Sequence, residues 1–411
     1  MKYLAILALC LAWAGAAQAR TFTLHDQFYS VGPNPAAIVA ADFNGNGWPE
    51  IITADRGVMS DPSEERPAND ELAFLVADGE LAYTAQPPLR ADFAPYTLAV
   101  ANVASPRQPD LLVGSFLATR SRDLSYFRNI GDNLFESAHF AAPSDYLPYT
   151  QVRDSDDRPV FTRPGVTSIA VADFDGNGRK DVIAAGWSSD VLLYFPGREG
   201  AHFGEPRAIP APGGVRSVEA ADLNGDGTLD LVTAMYSSHE VAVWRGEGNG
   251  EFTPATRFPS RGRLPHRIRA ADMNGDGRQD VVVSHCYGDD SVVIFYGDGD
   301  FGFATSQELV LGENRNAVEH EIRDMVVADF TGNGRPDIAV ACYASSRVTV
   351  MLNRSENDSL PQRFEMEHYP IERGRPRALC VADFNRSGRP DLGVALWEAN
   401  AVALLLNNTS E

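Results

Sequence analysis

The chain has 411 residues, 44% of them apolar and 22% charged, with a formal net charge of −21. That length and apolar content support a sizeable buried core. The acidity argues against a nucleic-acid protein, because gripping a phosphate backbone needs a Lys/Arg surface, and no run beyond the first twenty residues is apolar and long enough for a transmembrane helix.

Residues 1–19 read as a signal peptide. Lys2 is the charged start, Leu4 to Trp13 the apolar stretch, and Ala17-Gln-Ala19 the small-residue cleavage site. The stretch is too short for a membrane anchor, and Leu9 is too bulky for a lipid-attachment motif at Cys10. The mature chain, 20–411, is therefore expected to be a single exported domain, periplasmic or secreted. Its first segment, Phe22-Thr-Leu-His-Asp-Gln-Phe28, parallels Phe252-Thr-Pro-Ala-Thr-Arg-Phe258 further on. It reads as a spare strand separated from its repeat.

From there one unit recurs. Its anchor is Asp42, then Asp173, Asp222, Asp272, Asp329 and Asp383, with Asn102 in a degenerate second copy. An alanine precedes each anchor, from Ala41 to Ala382. Four residues before it stand Ile38, Leu98, Ile169, Val218, Ile268, Met325 and Leu379. These short apolar runs look like strands buried on both faces. In the third copy, Ile169 to Asp173, Asp181 to Gly186 and Val191 to Phe195 read as three strands, and Phe203 opens a fourth. About 50 residues with four strands is the size of a propeller blade. The last copy stops after its third strand, Val402 to Leu406, so the spare N-terminal strand is expected to complete it. The expected fold is all-β, a seven-bladed β-propeller closed by its N-terminal strand, which removes most exposed strand edges.

The turn after each anchor carries chemistry of its own. Oxygen side chains stand at positions 1, 3, 5 and 9, with glycine at position 6 in every set, an arrangement close to the start of an EF-hand loop. In chain order the sets are Asp42/Asn44/Asn46/Glu50, Asp173/Asp175/Asn177/Asp181, Asp222/Asn224/Asp226/Asp230, Asp272/Asn274/Asp276/Asp280, Asp329/Thr331/Asn333/Asp337 and Asp383/Asn385/Ser387/Asp391. Three sets hold three carboxylates each, which repel one another unless a cation neutralises them. Ca²⁺ is the expected cofactor, and the charge count favours those three loops. The second copy, Asn102 to Asp110, has lost the pattern and is expected to be empty.

The Asp-Phe-Asn-Gly-Asn-Gly-x-x-Asp turn, between an Ala-Val-Ala strand and a Leu-Val-Val strand, resembles FG-GAP or VCBS-type repeats. The resemblance spans residues 22–408. It implies the calcium-binding propeller of integrin alpha subunits and of many bacterial secreted proteins. Members include adhesion proteins, lectins and some polysaccharide lyases, so the resemblance specifies fold and calcium better than function.

Two further columns fall at the opposite end of the strands from the acidic turns. Six residues before the anchor stand Ala36, Tyr96, Thr167, Arg216, His266, Arg323 and Arg377. Six residues after the ninth loop position stand Arg56, Phe116, Trp187, Tyr236, Cys286, Tyr343 and Trp397. Two insertions, Arg56 to Glu71 and Pro143 to Gly165, share that rim. Aromatic faces stack on sugar rings, and arginine forks pair with carboxylate or sulfate. The candidate ligand-binding residues are therefore Arg216, His266, Arg323, Arg377, Trp187, Tyr236, Tyr343 and Trp397. The same aromatics could instead pack between blades, and the arginines could pair with Glu219, Asp324 or Glu319.

Three functions are compatible with this pattern. One is a monomeric module that binds carbohydrate or another cell-surface ligand. The second is a polysaccharide lyase in which Arg323 neutralises a uronate while Tyr236, Tyr287 or His266 takes the proton. The third is a scaffold for adhesion or protein interaction. No nucleophile triad, phosphate loop, dinucleotide fingerprint or zinc spacing is present, so no catalytic residue is assigned. Cys286, Cys342 and Cys380, at no regular spacing, read as buried free thiols, with one disulfide and one leftover as the alternative.

Overall fold

The structure is a computed structural model that describes residues 20–57, 69–92, 94–116, 123–141, 150–153, 159–162, 165–187, 189–200, 202–286, 289–312 and 319–409. Residues 1–19, where a signal peptide is expected, and Tyr287 lie outside them, as do parts of both rim insertions.

Alternation and turn chemistry build the same four-stranded antiparallel sheet again and again. Blade one is Pro35–Ala41, Glu50–Asp55, Glu71–Gly79 and Ala82–Arg90, and blade four is Val215–Ala221, Asp230–Met235, Glu240–Gly246 and Phe252–Pro259. The inner strands, from Pro35–Ala41 to Pro376–Ala382, pack side by side, and the first packs against the last, so the ring is closed. Blade seven takes Pro376–Ala382, Asp391–Leu396 and Ala401–Asn407 from the C-terminus. Its outer edge comes from the other end of the chain, where Phe22–Leu24 and Tyr29–Ser30 both pair antiparallel with Ala401–Asn407. The expected spare strand is thus two short strands on one edge, with residues 25–28 outside the ladder.

Blade three departs from expectation. Its fourth strand is Arg207–Pro210, and Phe203 belongs instead to a small hairpin of Gly197–Arg198 with His202–Phe203. The Phe203 ring is buried against Tyr126 and Phe140 of blade two, so it is a packing residue between blades.

The core is divided. Seven apolar clusters fill the seven wedges between adjacent blades. The wedge between blades four and five, for example, holds Val232, Val243, Ile268, Val281 and Val293. Cys286, Cys342 and Cys380 are buried free thiols. Burial pushes the Cys342 thiol up to about 11, so it stays protonated and inert at neutral pH.

The ninth loop position has a role that spacing alone does not show. Asp230 is fully buried. One oxygen accepts the Leu223 N–H at 2.9 Å, and the other accepts the Gly246 N–H from the third strand, also at 2.9 Å. Asp280, Asp337 and Asp391 make the same pair of bonds. So does Asp110 in the degenerate blade, to Val103, Ala104 and Asn129. The carboxylate is a staple between turn and third strand, kept even where the rest of the loop is lost.

Candidate functional site

A local irregularity shared by all seven blades builds the mouth of the channel. In every pairing of an inner strand with its second strand, the register slips by one residue at the start. The extra residue is Ala36, Tyr96, Thr167, Arg216, His266, Arg323 or Arg377. A β-bulge re-aims the side chain at the slip and sharpens the local twist. The bulge is clamped from the second strand. The N–H of Arg56, Phe116, Trp187, Tyr236, Cys286, Tyr343 and Trp397 bonds to the carbonyl two residues before the bulge, from Asn34 in blade one to Arg375 in blade seven. That carbonyl residue is left-handed in five blades, including Leu264 at φ 54° and Glu321 at φ 54°. Such strain at non-glycine positions costs of order 1–3 kcal/mol each and persists where the surroundings enforce it.

Bulge and clamp residues meet in a single cavity of about 310 Å³. All eight candidate ligand residues line it: Arg216, His266, Arg323, Arg377, Trp187, Tyr236, Tyr343 and Trp397. Arg56, Tyr96 and Phe116 join them. These three stand in the same two columns, where Arg56 falls among aromatics and Tyr96 among basic residues, which masks their part. Among the described residues, no Asp, Glu or Lys lines the cavity.

Tyr96 organises the site. It is almost fully buried, and its hydroxyl receives N–H bonds from Arg216 of blade four and Arg377 of blade seven, each at 2.6 Å. The guanidiniums of Arg56, Arg216 and Arg377 lie 5.6, 5.3 and 5.3 Å from its ring centre. Burial opposes ionisation of the hydroxyl, but Arg216 and Arg377 outweigh it and hold Tyr96 well below the usual tyrosine range. His266 accepts from Arg216, with Nε2 at 2.9 Å. Burial and the surrounding arginines keep this imidazole neutral, well below its usual value.

The alternative pairings are only partly realised. Arg267, one residue past the His266 bulge, pairs with Asp324 at 2.8 Å, and Glu219 takes Arg269 at 3.5 Å. Arg323 pairs with Glu321, which the sequence did not single out. Arg56, Arg216 and Arg377 have no carboxylate partner among the described residues. Among the described histidines, His266 is the one that lines the cavity. His239 Nδ1 accepts the Leu264 N–H, His285 is buried, and His320 sits between the Leu311 carbonyl and Arg347. These three hold the fold together. Tyr236 is pushed up by burial, so the lining tyrosine disposed to lose a proton is Tyr96.

At the other end of the strands the acidic turns share one wrap. The first aspartate accepts the N–H of the sixth residue, as Asp173 does from Gly178 and Asp222 from Gly227, both at 2.8 Å. That sixth residue has φ of 80–86° in every copy, which glycine adopts without strain. The donor chemistry, carboxylate and amide oxygens around one turn, fits a hard divalent cation. Asp173, Asp175 and Asp181 bring ligand oxygens within 4.8 Å of one another. The three acidic loops differ in their surroundings. In the next two, Arg245 lies 3.5 Å from Asp226 and Arg278 lies 2.7 Å from Asp276, so a side-chain cation already offsets the fifth-position charge. Glu50 accepts from Asn44 Nδ2 at 2.7 Å, and Thr331 leans on Asp329.

The turn itself also engages the neutral members of the sets. Asn46 Oδ1 accepts the Trp48 N–H at 2.7 Å, and Asn177 Oδ1 accepts the Arg179 N–H at 2.8 Å. Asn224 and Asn274 each accept an N–H at 3.1 Å, from Asp226 and Asp276. Both also donate their amides to those aspartates, at 2.8 and 2.9 Å. Asn333 accepts the Arg335 N–H and donates to the Asn353 carbonyl, both at 2.8 Å. Asn385 accepts the Ser387 N–H at 3.0 Å, and the same N–H reaches Asp383 at 2.9 Å. Ser387 is thus tied to its turn through its backbone, while its residue is exposed. These bonds from a side-chain oxygen to the N–H two residues on are Asx-turns. They account for asparagine at these positions by turn formation alone, so the carboxylates carry the case for an ion.

Seven blades, a closed ring and a lined axial cavity define a β-propeller of the repeat-built kind. The chain belongs to the FG-GAP-like repeat family, whose profile matches residues 173–233, 229–283, 272–340 and 329–394. Comparison with curated protein sequences finds no match. Among solved structures, a chain in the crystal structure of BBS1N in complex with ARL6DN, soaked with lead, is similar with a TM-score of 0.61 and 14% identity, over 95% of this chain and 98% of that one. A chain of the same complex soaked with mercury gives a TM-score of 0.59 and 14% identity, over 94% and 97%. At that identity the likeness is one of fold.

Proposed function

We propose that the protein is an exported binding module that engages carbohydrate or another cell-surface ligand in the channel-mouth cavity, while Ca²⁺ in the opposite turns holds the blades. The observation that carries this is the convergence of aromatic and arginine side chains, delivered by the bulge and clamp positions of the blades, into a cavity of small-ligand size. About 310 Å³ suits a chain end or a short oligosaccharide rather than a long stretch of polymer. A glycan array in saturating calcium, with neutral, sulfated and uronate-containing oligosaccharides, tests the reading. Binding should appear, and Trp187→Ala should weaken it about tenfold or more, as expected for loss of a stacking face. A blank array would shift the ligand to a protein surface.

Asp173, Asp175, Asn177 and Asp181 would hold calcium most readily, with the five related turns contributing according to their free charge. An amide oxygen has two lone pairs, so an asparagine that accepts one N–H keeps a second for an ion. The ion would supply neutralisation and rigidity, not chemistry. Each site filled at a hundred times its Kd adds about 2.7 kcal/mol to stability. Chelation should therefore lower the melting temperature, and Asp175→Asn should remove part of that drop. An unchanged melting temperature, with no calcium by metal analysis, would dismiss the metal.

One observation favours the lyase as a second reading. Tyr96, with its hydroxyl between Arg216 and Arg377, is a phenol disposed to act as a base. Release of an unsaturated product from a uronate-containing oligosaccharide, abolished in Tyr96→Phe, would establish it.

A further inference from the structure

Among the described residues the charges around the cavity do not balance. Five buried or half-buried guanidiniums gather there: Arg56, Arg216, Arg267, Arg323 and Arg377. Asp324 answers Arg267, and Glu321 answers Arg323. Three remain around the Tyr96 ring, which as a phenolate supplies at most one negative charge. Arg56 is 7% exposed and Arg377 5%. Nε and Nη2 of Arg56, and Nη1 of Arg377, are buried without a hydrogen-bond partner among the described residues. An unpaired buried charge is costly. A fold that holds guanidiniums in this state, in a chain of net charge −21, has concentrated positive potential at one point of an acidic surface.

We propose that the cavity recognises an oxyanion, the carboxylate, sulfate or phosphate group of its ligand, on the free guanidinium edges of Arg56 and Arg377, with the body of the ligand against Trp187 and Trp397. This deepens the binding-module reading and rests on it for the body of the ligand. The anion completes a site whose donors are already in place. Arg216 is committed to Tyr96 and His266 and holds the tyrosine in position. Arg377 gives one nitrogen to Tyr96 and keeps another free. Arg56 lies over the Phe116 ring at 4.8 Å, with its polar edge unsatisfied. Trp187 and Trp397 are half-buried beside them and leave ring surface open. Either a terminal uronate or a sulfated or phosphorylated sugar end presents the required group, and the arms of the test separate them.

The intact mature protein is titrated with sodium sulfate, sodium phosphate, sodium glucuronate and glucose at constant ionic strength, with chloride as the control salt. Tryptophan fluorescence reports on Trp187 and Trp397, and the melting temperature is read in parallel. At least one anion should give a saturable fluorescence change that chloride and glucose do not, and preference among the three identifies the group. Arg377→Gln and Arg56→Met should each weaken that binding about tenfold or more, the usual effect of losing a charged hydrogen bond. Arg56→Met keeps the stem over Phe116 and removes a like charge, so it should also raise the melting temperature without ligand. A purely structural Arg56 would instead lower it and leave anion binding untouched, which overturns the proposal. Glucose binding as well as glucuronate, with both variants unaffected, also overturns it but leaves the carbohydrate reading standing. Anion binding with a blank glycan array does the reverse. Binding of none of the four probes overturns it outright.

Discussion

Phe22→Ala should destabilise the protein by about 3–5 kcal/mol, the usual cost of truncating a buried phenylalanine. Phe22 is 2% exposed and meets Phe330 and Tyr369 edge-on, with ring centres 5.3 and 5.7 Å away. Its N–H bonds to the Tyr369 hydroxyl at 3.0 Å, and the Thr21 N–H bonds to Glu367 at 3.0 Å. The N-terminal strand thus pairs with blade seven and packs against blade six, so one side chain latches the ring. Urea unfolding of residues 20–411 measures the effect. A further truncation from residue 20 through Ser30 should go beyond it, because the edge of Ala401–Asn407 is then exposed and free to pair with another chain. Concentration-dependent association of that truncated protein, seen by light scattering, is the expected signature. A ring that stays monomeric and equally stable without these residues would show that closure rests on inner-strand packing alone.

Asp110→Ala should cost a comparable amount, in a blade that lacks the metal pattern. Its carboxylate is fully buried and accepts the N–H groups of Val103, Ala104 and Asn129 at 3.0, 2.7 and 2.7 Å. Removing it strands buried donors, each worth about 1–3 kcal/mol. Because the second copy keeps only this residue of the loop set, the loss should be the same with calcium and with chelator. Asp222→Asn should behave in the opposite way. It preserves the shape of the wrap in a fuller loop, so its effect should appear with calcium and shrink under chelation. If Asp110→Ala is silent, the ninth position is not a staple. If both variants respond alike to chelator, the separation of fold from metal fails. The comparison matters because a carboxylate common to all seven turns invites a metal role, whereas its bonds to backbone N–H groups explain its presence without one.

The match of the tandem repeats to the FG-GAP-like family, together with the closed ring, gives the protein its architecture and little else. What distinguishes this chain is the set of residues that its repeats leave variable. The bulge position is Ala36 in blade one and arginine in three other blades, and the clamp position ranges from Arg56 to Trp397. A scaffold that fixes seven backbone positions around an axis can change its ligand by changing side chains there, without disturbing the wedges between blades.

The sequence by itself determined the repeat number, the strand order and the closure by the N-terminal segment. The reason is physical. Each blade must bury both faces of its inner strands, and turns with positive φ demand glycine at a fixed place, so the same residues recur at the same spacing. It also placed Arg216, His266, Arg323 and Arg377 with Trp187, Tyr236, Tyr343 and Trp397 at one end of the strands. Only the tertiary structure decided what those residues face. Alternation alone does not say whether His266 or its neighbour Arg267 lines the cavity. The bulge turns His266 toward the axis and leaves Arg267, one step on, to pair with Asp324 from the next blade. Likewise no spacing showed that Tyr96 would meet Arg216 and Arg377 from blades 120 and 281 residues away in sequence, or that Arg245 and Arg278 would temper two of the acidic turns. Nor does spacing show that asparagines such as Asn46 and Asn333 shape their turns, since a turn and an ion both call for an oxygen at the same place. Charge balance between blades is a property of the closed ring, and it exists only once the ring has closed.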